Sequence, residues 1–445
     1  MNKRSHSWFK LTLLLLMATA LLALNGCEMI KNLDFPWEEH AGVPTKTPVP
    51  PVATETQVPT PTQAPVEPTP TQVPRQTRLV LWLPPEFDPE EDNAAAALLK
   101  ARLERFARNN RIEIDVRLKN PSGSSNVIES LIATNGAAPE NLPAVVLLRK
   151  QDLDAAYARG LVYVNDALRT LSGDTDWYSF AREAVSHENT SFGIGFLGDP
   201  MIMAYQSRLE SVPDNNWFAL PKSPVRFGFA ADDSQGRFML LLYLAAGGET
   251  RDAQNQLILQ EEPLRQALQV LADMQSARNL SPAVLQMQTP SAVWQTLVAW
   301  NLETAAMPAS VVLKALTGDT TGQPELLFTP VDFTLTDSWT LVLANPDEAQ
   351  QGLGTKLIQD LTETNFLASW SEALGYVPAR PTALGAWTNV DLKPALERVM
   401  NIARLYPRDE TIISLGPILR NAALMIIRDG ATVEEAVSQA LEGIK

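Results

Sequence analysis

An α/β fold, with helices covering mostly parallel sheets, is predicted from residue 78 onward by three observations. Short apolar runs of strand length recur along the chain, and stretches with apolar residues at three-to-four spacing lie between them. No repeat at a fixed period of roughly 20 to 50 residues is visible, which argues against solenoids and propellers.

Leu79-Val80-Leu81-Trp82-Leu83, stopped by Pro84-Pro85, reads as a short buried strand. From Glu91 to Asn109, Ala95, Leu98, Leu99, Leu103 and Phe106 fall on one helical face. Ile112 to Val116 alternates as a half-buried strand, and a helix near Asn126 to Ala133 leads to the apolar run Ala144 to Leu148. A further helix from Asp152 to Ala158 ends at Gly160, which completes a strand-helix unit repeated about three times. Helical spacing then recurs at Arg237 to Ala246, Pro263 to Ala277, Ala292 to Trp300 and Asp347 to Thr362. Leu392 to Arg404, Thr411 to Arg428 and Val433 to Ile444 make an all-helical end, with Asp429-Gly430 as the turn before the last helix.

The chain has 445 residues, 33 prolines, a single cysteine and a formal charge of −15. That length suits two folded domains plus a substantial unfolded part. The first 26 residues hold Lys3, Arg4 and Lys10 and no acid, so the remainder carries −18. Such a surface repels nucleic acid phosphate and anionic lipid headgroups, and no nucleic-acid partner is expected. Residues 1–26 read as an export signal: a basic start, an apolar run from Leu11 to Ala23, then Leu24-Asn25-Gly26-Cys27. The run is shorter than the roughly 20 residues of a spanning helix. Leu24-Asn25-Gly26-Cys27 resemble the lipobox of bacterial lipoproteins, which implies that Cys27 is lipidated and the leader removed. The mature chain then has no thiol for a disulfide, a nucleophile or a zinc site. Residues 27–77 form a lipid-anchored linker, with ten prolines and eight threonines between Pro44 and Pro74. Proline fixes φ and removes a donor, so this stretch is an extended spacer, reaching up to about 100 Å at 3.1 Å per residue.

Catalytic chemistry is sparse. After the leader only His40 and His187 remain, which leaves no histidine triad or multi-histidine metal site. No Gly-x-Ser-x-Gly or P-loop occurs, and Gly352-Leu353-Gly354-Thr355-Lys356 is too short for a Walker loop. Glu90-Glu91-Asp92 sit near a helix start, where they favour the macrodipole without a catalytic role. The expectation is a protein that is not an enzyme and takes no cofactor.

Several phrases in order carry a resemblance: Leu79-Val80-Leu81-Trp82, Pro143 to Leu148, Phe192-Gly193-Ile194-Gly195-Phe196 running on to Ala204-Tyr205-Gln206, Ala245-Ala246-Gly247-Gly248, Thr304-Ala305-Ala306-Met307, Leu374 to Arg380 and Thr432 to Ala436. Over residues 78 to 445 the chain resembles the extracellular solute-binding proteins of bacterial ABC importers (family 1, sugar type), whose class includes maltose-binding members. The resemblance implies a two-lobed, periplasmic-binding-protein-like fold of type II, each lobe a mostly parallel sheet flanked by helices, with hinge crossings. It implies an N-terminal lobe of 78–198 and 331–380 and a C-terminal lobe of 199–330 and 381–445. It also implies a monomer that closes on a carbohydrate-like solute, delivers it to ABC permease subunits and sits, lipid-anchored, on the outer face of the cell membrane. A surface-anchored sensor not coupled to import is the other reading.

Ligands of open α/β sheets sit beyond the carboxyl ends of strands. Carried over by position, the candidates are Glu86 and Phe87 in the first such loop, then Arg149 and Lys150, with Arg149 as a forked donor to ligand oxygens. Asp199 falls where the chain crosses between lobes, as an acidic contact or as part of a turn with Gly198 and Pro200. Tyr205 reads as core, and Arg237, Trp300, Trp339 and Tyr376 complete the set. The chain departs from the family where sugar binders place late aromatics: Pro308 to Leu313 has no ring, and neither has Leu415-Gly416-Pro417. A bulky oligosaccharide fits such a site poorly, and a smaller sugar, a polyol phosphate or another solute stays open.

Overall fold

β1 (Arg78–Leu83) is buried along most of its length and runs parallel to both β2 (Glu113–Leu118) and β3 (Val145–Arg149). The computed structural model describes residues 77–187, 190–209, 214–299, 301–317 and 325–444. The export signal, Cys27, the proline-rich linker and Trp300 lie outside the described residues. α1 (Ala94–Asn110) starts where the Asn93 side chain accepts from the Ala96 N–H at 2.9 Å, and it buries Leu99, Leu103 and Phe106. α2 (Val127–Ala137) is capped in the same way by Asn126. α3 (Lys150–Ala158) begins directly after β3.

α4 (Asp166–Ser172), α5 (Ser179–Ala184) and the antiparallel pair β4 (Ser186–His187) and β5 (Thr190–Ser191) lead into β6 (Gly193–Gln206), a strand of 14 residues. A second group of elements follows: β7 (Phe227–Gly228), α6 (Arg237–Ala245), α7 (Glu261–Ala277), α8 (Pro290–Val298), β8 (Thr304–Pro308), α9 (Ala309–Leu316) and β9 (Leu326–Thr329). The chain returns through β10 (Leu335–Leu343), α10 (Glu348–Leu361), α11 (Thr364–Leu374), β11 (Val377–Pro378), α12 (Pro381–Gly385) and α13 (Lys393–Ile402). β12 (Arg404–Leu405), α14 (Asp409–Ile427) and α15 (Val433–Glu442) end it.

β6 and β10 make the hinge. Residues Gly193 to Pro200 of β6 pair with β10, whereas Met201 to Gln206 pair with β8 and β9, so the strand exchanges one set of neighbours for another between Pro200 and Met201. The resulting strand order is β2-β1-β3-β10-β6-β8-β7. Parallel pairing holds for β1, β2 and β3 and for β7 with β8. β10 runs antiparallel to both β3 and β6, because a strand that leaves a lobe and one that returns to it point in opposite directions, and the sheet is therefore mixed. β12 adds a short parallel bridge to Leu335 and Thr336, a third tie across the hinge. α14, apolar enough by composition to cross a membrane, is a core helix here: it packs on α6, α7 and α15 and buries Leu415, Leu419 and Ala423.

Candidate functional site

The antiparallel register places Asp337 of β10 directly opposite Asp199 of β6, so both carboxylates project from one face of the hinge. Two like charges in that position need separate partners. Asp199 takes the start of α9: its carboxylate accepts from the Ser310 N–H at 2.8 Å and the Ser310 hydroxyl at 2.7 Å. Burial outweighs those bonds and pushes its carboxyl up to about 6. Asp337 accepts from the Arg237 guanidinium at 2.5 Å, and that guanidinium lies 4.8 Å from the Tyr406 ring centroid. Burial works against the Arg237 charge, but Asp337, together with Tyr406 and Asp233, more than offsets it and the guanidinium holds its proton more tightly than usual.

Asp199 has a consequence for stability. An acid whose folded pKa is raised stabilises below its unfolded value near 4, and that contribution is lost as pH rises through 6. Replacing Asp199 by Asn keeps an acceptor for the Ser310 N–H and removes the titration. The wild-type chain should lose of order 2 kcal/mol from this group between pH 4 and pH 7. Denaturant melts of Asp199→Asn should lack that share of the slope, and an unaltered slope would mean that Asp199 is ionised throughout.

Glu86, Phe87, Trp339 and Tyr376 come together, but they contact one another. Phe87 is 2% exposed and meets Trp339 edge-on at 5.1 Å and Tyr376 in a stack at 6.2 Å. The Tyr376 hydroxyl donates to Glu86 at 2.7 Å, and Lys314 of α9 lies 3.2 Å from the same carboxylate oxygen and 4.1 Å from the Tyr376 ring centroid. Burial, with Asp199 and Glu86 nearby, keeps the Tyr376 phenol protonated. Arg149 stands opposite Trp339 across β3 and β10. Its forked donors go to Asp152 at 2.9 Å and to the Pro121 carbonyl at 3.0 Å.

Among the described residues, Lys150 alone of these candidates lines a cavity of about 670 Å³. One wall comes from α3 and the β4 segment: the Lys150 ammonium pairs with Asp154, which also lies 2.8 Å from the His187 imidazole. The opposite wall is the Gly247–Thr250 loop after α6, and Asp337 of β10 reaches the lumen between the two walls. The edge leading to α14 supplies Arg404, Tyr406 and Arg408. Tyr406 is 9% exposed, and its hydroxyl has no hydrogen-bond partner among the described residues. Burial holds that phenol above its ordinary range, so it remains a donor. A second concavity, about 720 Å³ beside α9 and α11, offers less chemistry because its Glu372 carboxylate is occupied by Thr388 and Asn389.

Asp337 and Tyr406 escaped the sequence reading. Asp337 lies two residues before Trp339 on the same strand face, a spacing that marks it once β10 is recognised as a strand. Tyr406 sits between the two predicted terminal helices, with nothing local to show that its hydroxyl would be left unpaired. The missing ring at Gly416 has a steric cause. A Cβ there would stand 2.3 Å from the Gln235 carbonyl oxygen, so the 235–236 backbone occupies the space that a larger side chain would need. Asp232 and Arg420 pair across the same contact.

No family model matches the sequence, and no curated protein sequence matches it. Among solved structures, a cyclo/maltodextrin-binding protein complexed with maltotetraose aligns with a TM-score of 0.64 at 15% identity, covering 84% of this chain and 97% of that one. The sugar-binding protein MalE of Xanthomonas citri gives 0.63 at 15% identity, covering 83% and 96%. UgpB of Mycobacterium tuberculosis in complex with glycerophosphocholine gives 0.60 at 15% identity, covering 83% and 98%. These likenesses define the fold: the chain has the two-lobed architecture of periplasmic binding proteins.

Proposed function

We propose that this chain is an extracytoplasmic solute-binding protein that captures a small, carbohydrate-like solute in the 670 Å³ cavity and delivers it to ABC permease subunits. The observation that carries the reading is the cavity's position, between elements that β6 and β10 join as a hinge, with donors and acceptors on both walls. Its size falls in the range of small-ligand sites, about 300–1,000 Å³. Lys150, Asp154 and Asp337 on its lining supply both hydrogen-bonding senses, as a polyhydroxylated solute requires. The solutes named for the structural neighbours, maltotetraose and glycerophosphocholine, belong to that chemistry. In this reading 78–198 with 331–380 and 199–330 with 381–445 are the lobes, the protein is a monomer and not an enzyme, and lipidated Cys27 with its linker holds it at the outer face of the membrane.

Uptake and fractionation test it together. Cells carrying Cys27→Ser should release the protein from the membrane fraction, and cells lacking the chain should lose high-affinity uptake of the solute it binds. Membrane retention of Cys27→Ser refutes the lipid anchor. Undiminished uptake without the chain leaves the surface-sensor reading in place of import.

A further inference from the structure

We infer that the captured solute carries an anionic group, a carboxylate or a phosphate, seated on the Arg404–Arg408 edge of the cavity by Arg404, Arg408 and the Tyr406 hydroxyl. This rests on the solute-capture reading above. β12 is extended, as is the backbone at Arg408 (φ −56, ψ 150), and side chains at positions i, i+2 and i+4 of extended chain share one side. Arg404, Tyr406 and Arg408 hold those positions, and they line the cavity together with Leu405 and Pro407 between them.

Each of the three has capacity to spare. The Tyr406 hydroxyl has no partner among the described residues and almost no exposed surface, a state that costs about 1–3 kcal/mol, so an acceptor reaches it only as the edge shifts to uncover it. Arg404 is fixed by its position 5.3 Å from the centroid of the Phe333 ring, which also lines the cavity, and it makes no ion pair among the described residues. Arg408 caps α14 and has no carboxylate partner among them either. The remaining lining lysine, Lys150, is paired with Asp154, and the lining carboxylate Asp337 is held by Arg237 beneath the Tyr406 ring. Glu183 and Glu249 also line the cavity, but from α5 and the loop after α6 rather than from this edge. Two guanidinium groups flanking a buried phenol form a set weighted to donors, which matches an oxyanion better than a neutral hydroxyl.

Titration calorimetry of the purified full chain with glucose, glucuronate, glucose 6-phosphate and glycerol 3-phosphate tests this. At least one anionic probe should bind tenfold or more tightly than glucose, and the contrast between glucuronate and glucose 6-phosphate tells carboxylate from phosphate. In the double variant Arg404→Gln/Arg408→Gln that preference should collapse towards one, with a melting temperature lowered by no more than a degree or two, because neither arginine has an ion-pair partner among the described residues and only the Arg404 contact with the Phe333 ring is lost. Tyr406→Phe keeps the ring over Arg237 and should weaken the anion about tenfold. Glucose bound as tightly as its acidic counterparts, or a preference that survives both arginine substitutions, overturns the inference and leaves solute capture standing. Heat from none of the four probes counts against both.

Discussion

Gly416→Val should cost about 3 kcal/mol of stability or more and lower the melting temperature by several degrees. A Cβ at this position would meet backbone, at 2.3 Å from the Gln235 oxygen and 2.6 Å from its carbon, so no rotamer change relieves the clash. The opposing side is no freer: Gly236 has φ +56, and a Cβ there would lie 2.5 Å from the Gly416 oxygen. Gly352→Ala is the contrast. It lies in α10 with nothing within 4 Å of a built Cβ, and the helical preference for Ala should stabilise by about 0.5–1 kcal/mol. Equal melting temperatures for the two variants would contradict the close approach of α14 to the loop before α6.

Arg237→Ala should lose about 3 kcal/mol of stability, since removing one partner of a largely buried pair leaves the other charge uncompensated. Here that charge is Asp337, directly opposite Asp199, so the hinge would hold two facing carboxylates without their guanidinium. Solute affinity should fall at least thirtyfold, about 2 kcal/mol, because the Tyr406 ring loses the cation packed against it at the edge of the cavity. Arg237→Lys should recover part of the stability and little of the affinity, as an ammonium restores charge without a planar stack. Thermal melts and titration of both variants check the ordering, and full affinity in Arg237→Ala would remove the residue from the site.

Much of the architecture was legible. β1 and β3 stand out as uninterrupted apolar runs, α1 and α7 show clear one-sided spacing, and Asn93 and Asn126 mark helix starts in the sequence itself. β6 is harder to see, because Gly193, Gly195, Gly198 and Pro200 break its strand pattern although the strand runs unbroken through them. The helix α11, with Phe366, Leu367 and Trp370 on its buried side, carries the usual spacing and went unmarked.

The site was legible only in part. Position along the chain brought Lys150, the first residue of α3, to the cavity, whereas Arg237, the first residue of α6, does not line it and instead holds Asp337, which does. Glu86, Phe87, Trp339 and Tyr376 satisfy one another, a result that depends on contacts more than 200 residues apart in sequence, such as Glu86 with Tyr376 at a separation of 290. The same distance hid Asp337 and Tyr406, whose roles follow from the return strand and from β12.

The most direct test is a thermal-shift titration of the purified protein against mono- and disaccharides, sugar acids, sugar phosphates, polyols and amino acids, run beside Gln151→Trp, which places an indole in the cavity from α3. A solute bound only by the folded state adds about 2.7 kcal/mol at 100 times its dissociation constant. A saturable shift with one chemical class, lost in Gln151→Trp while that variant's own melting temperature holds, is the predicted result. No shift across the panel, or an equal shift in Gln151→Trp, would contradict solute capture in this cavity.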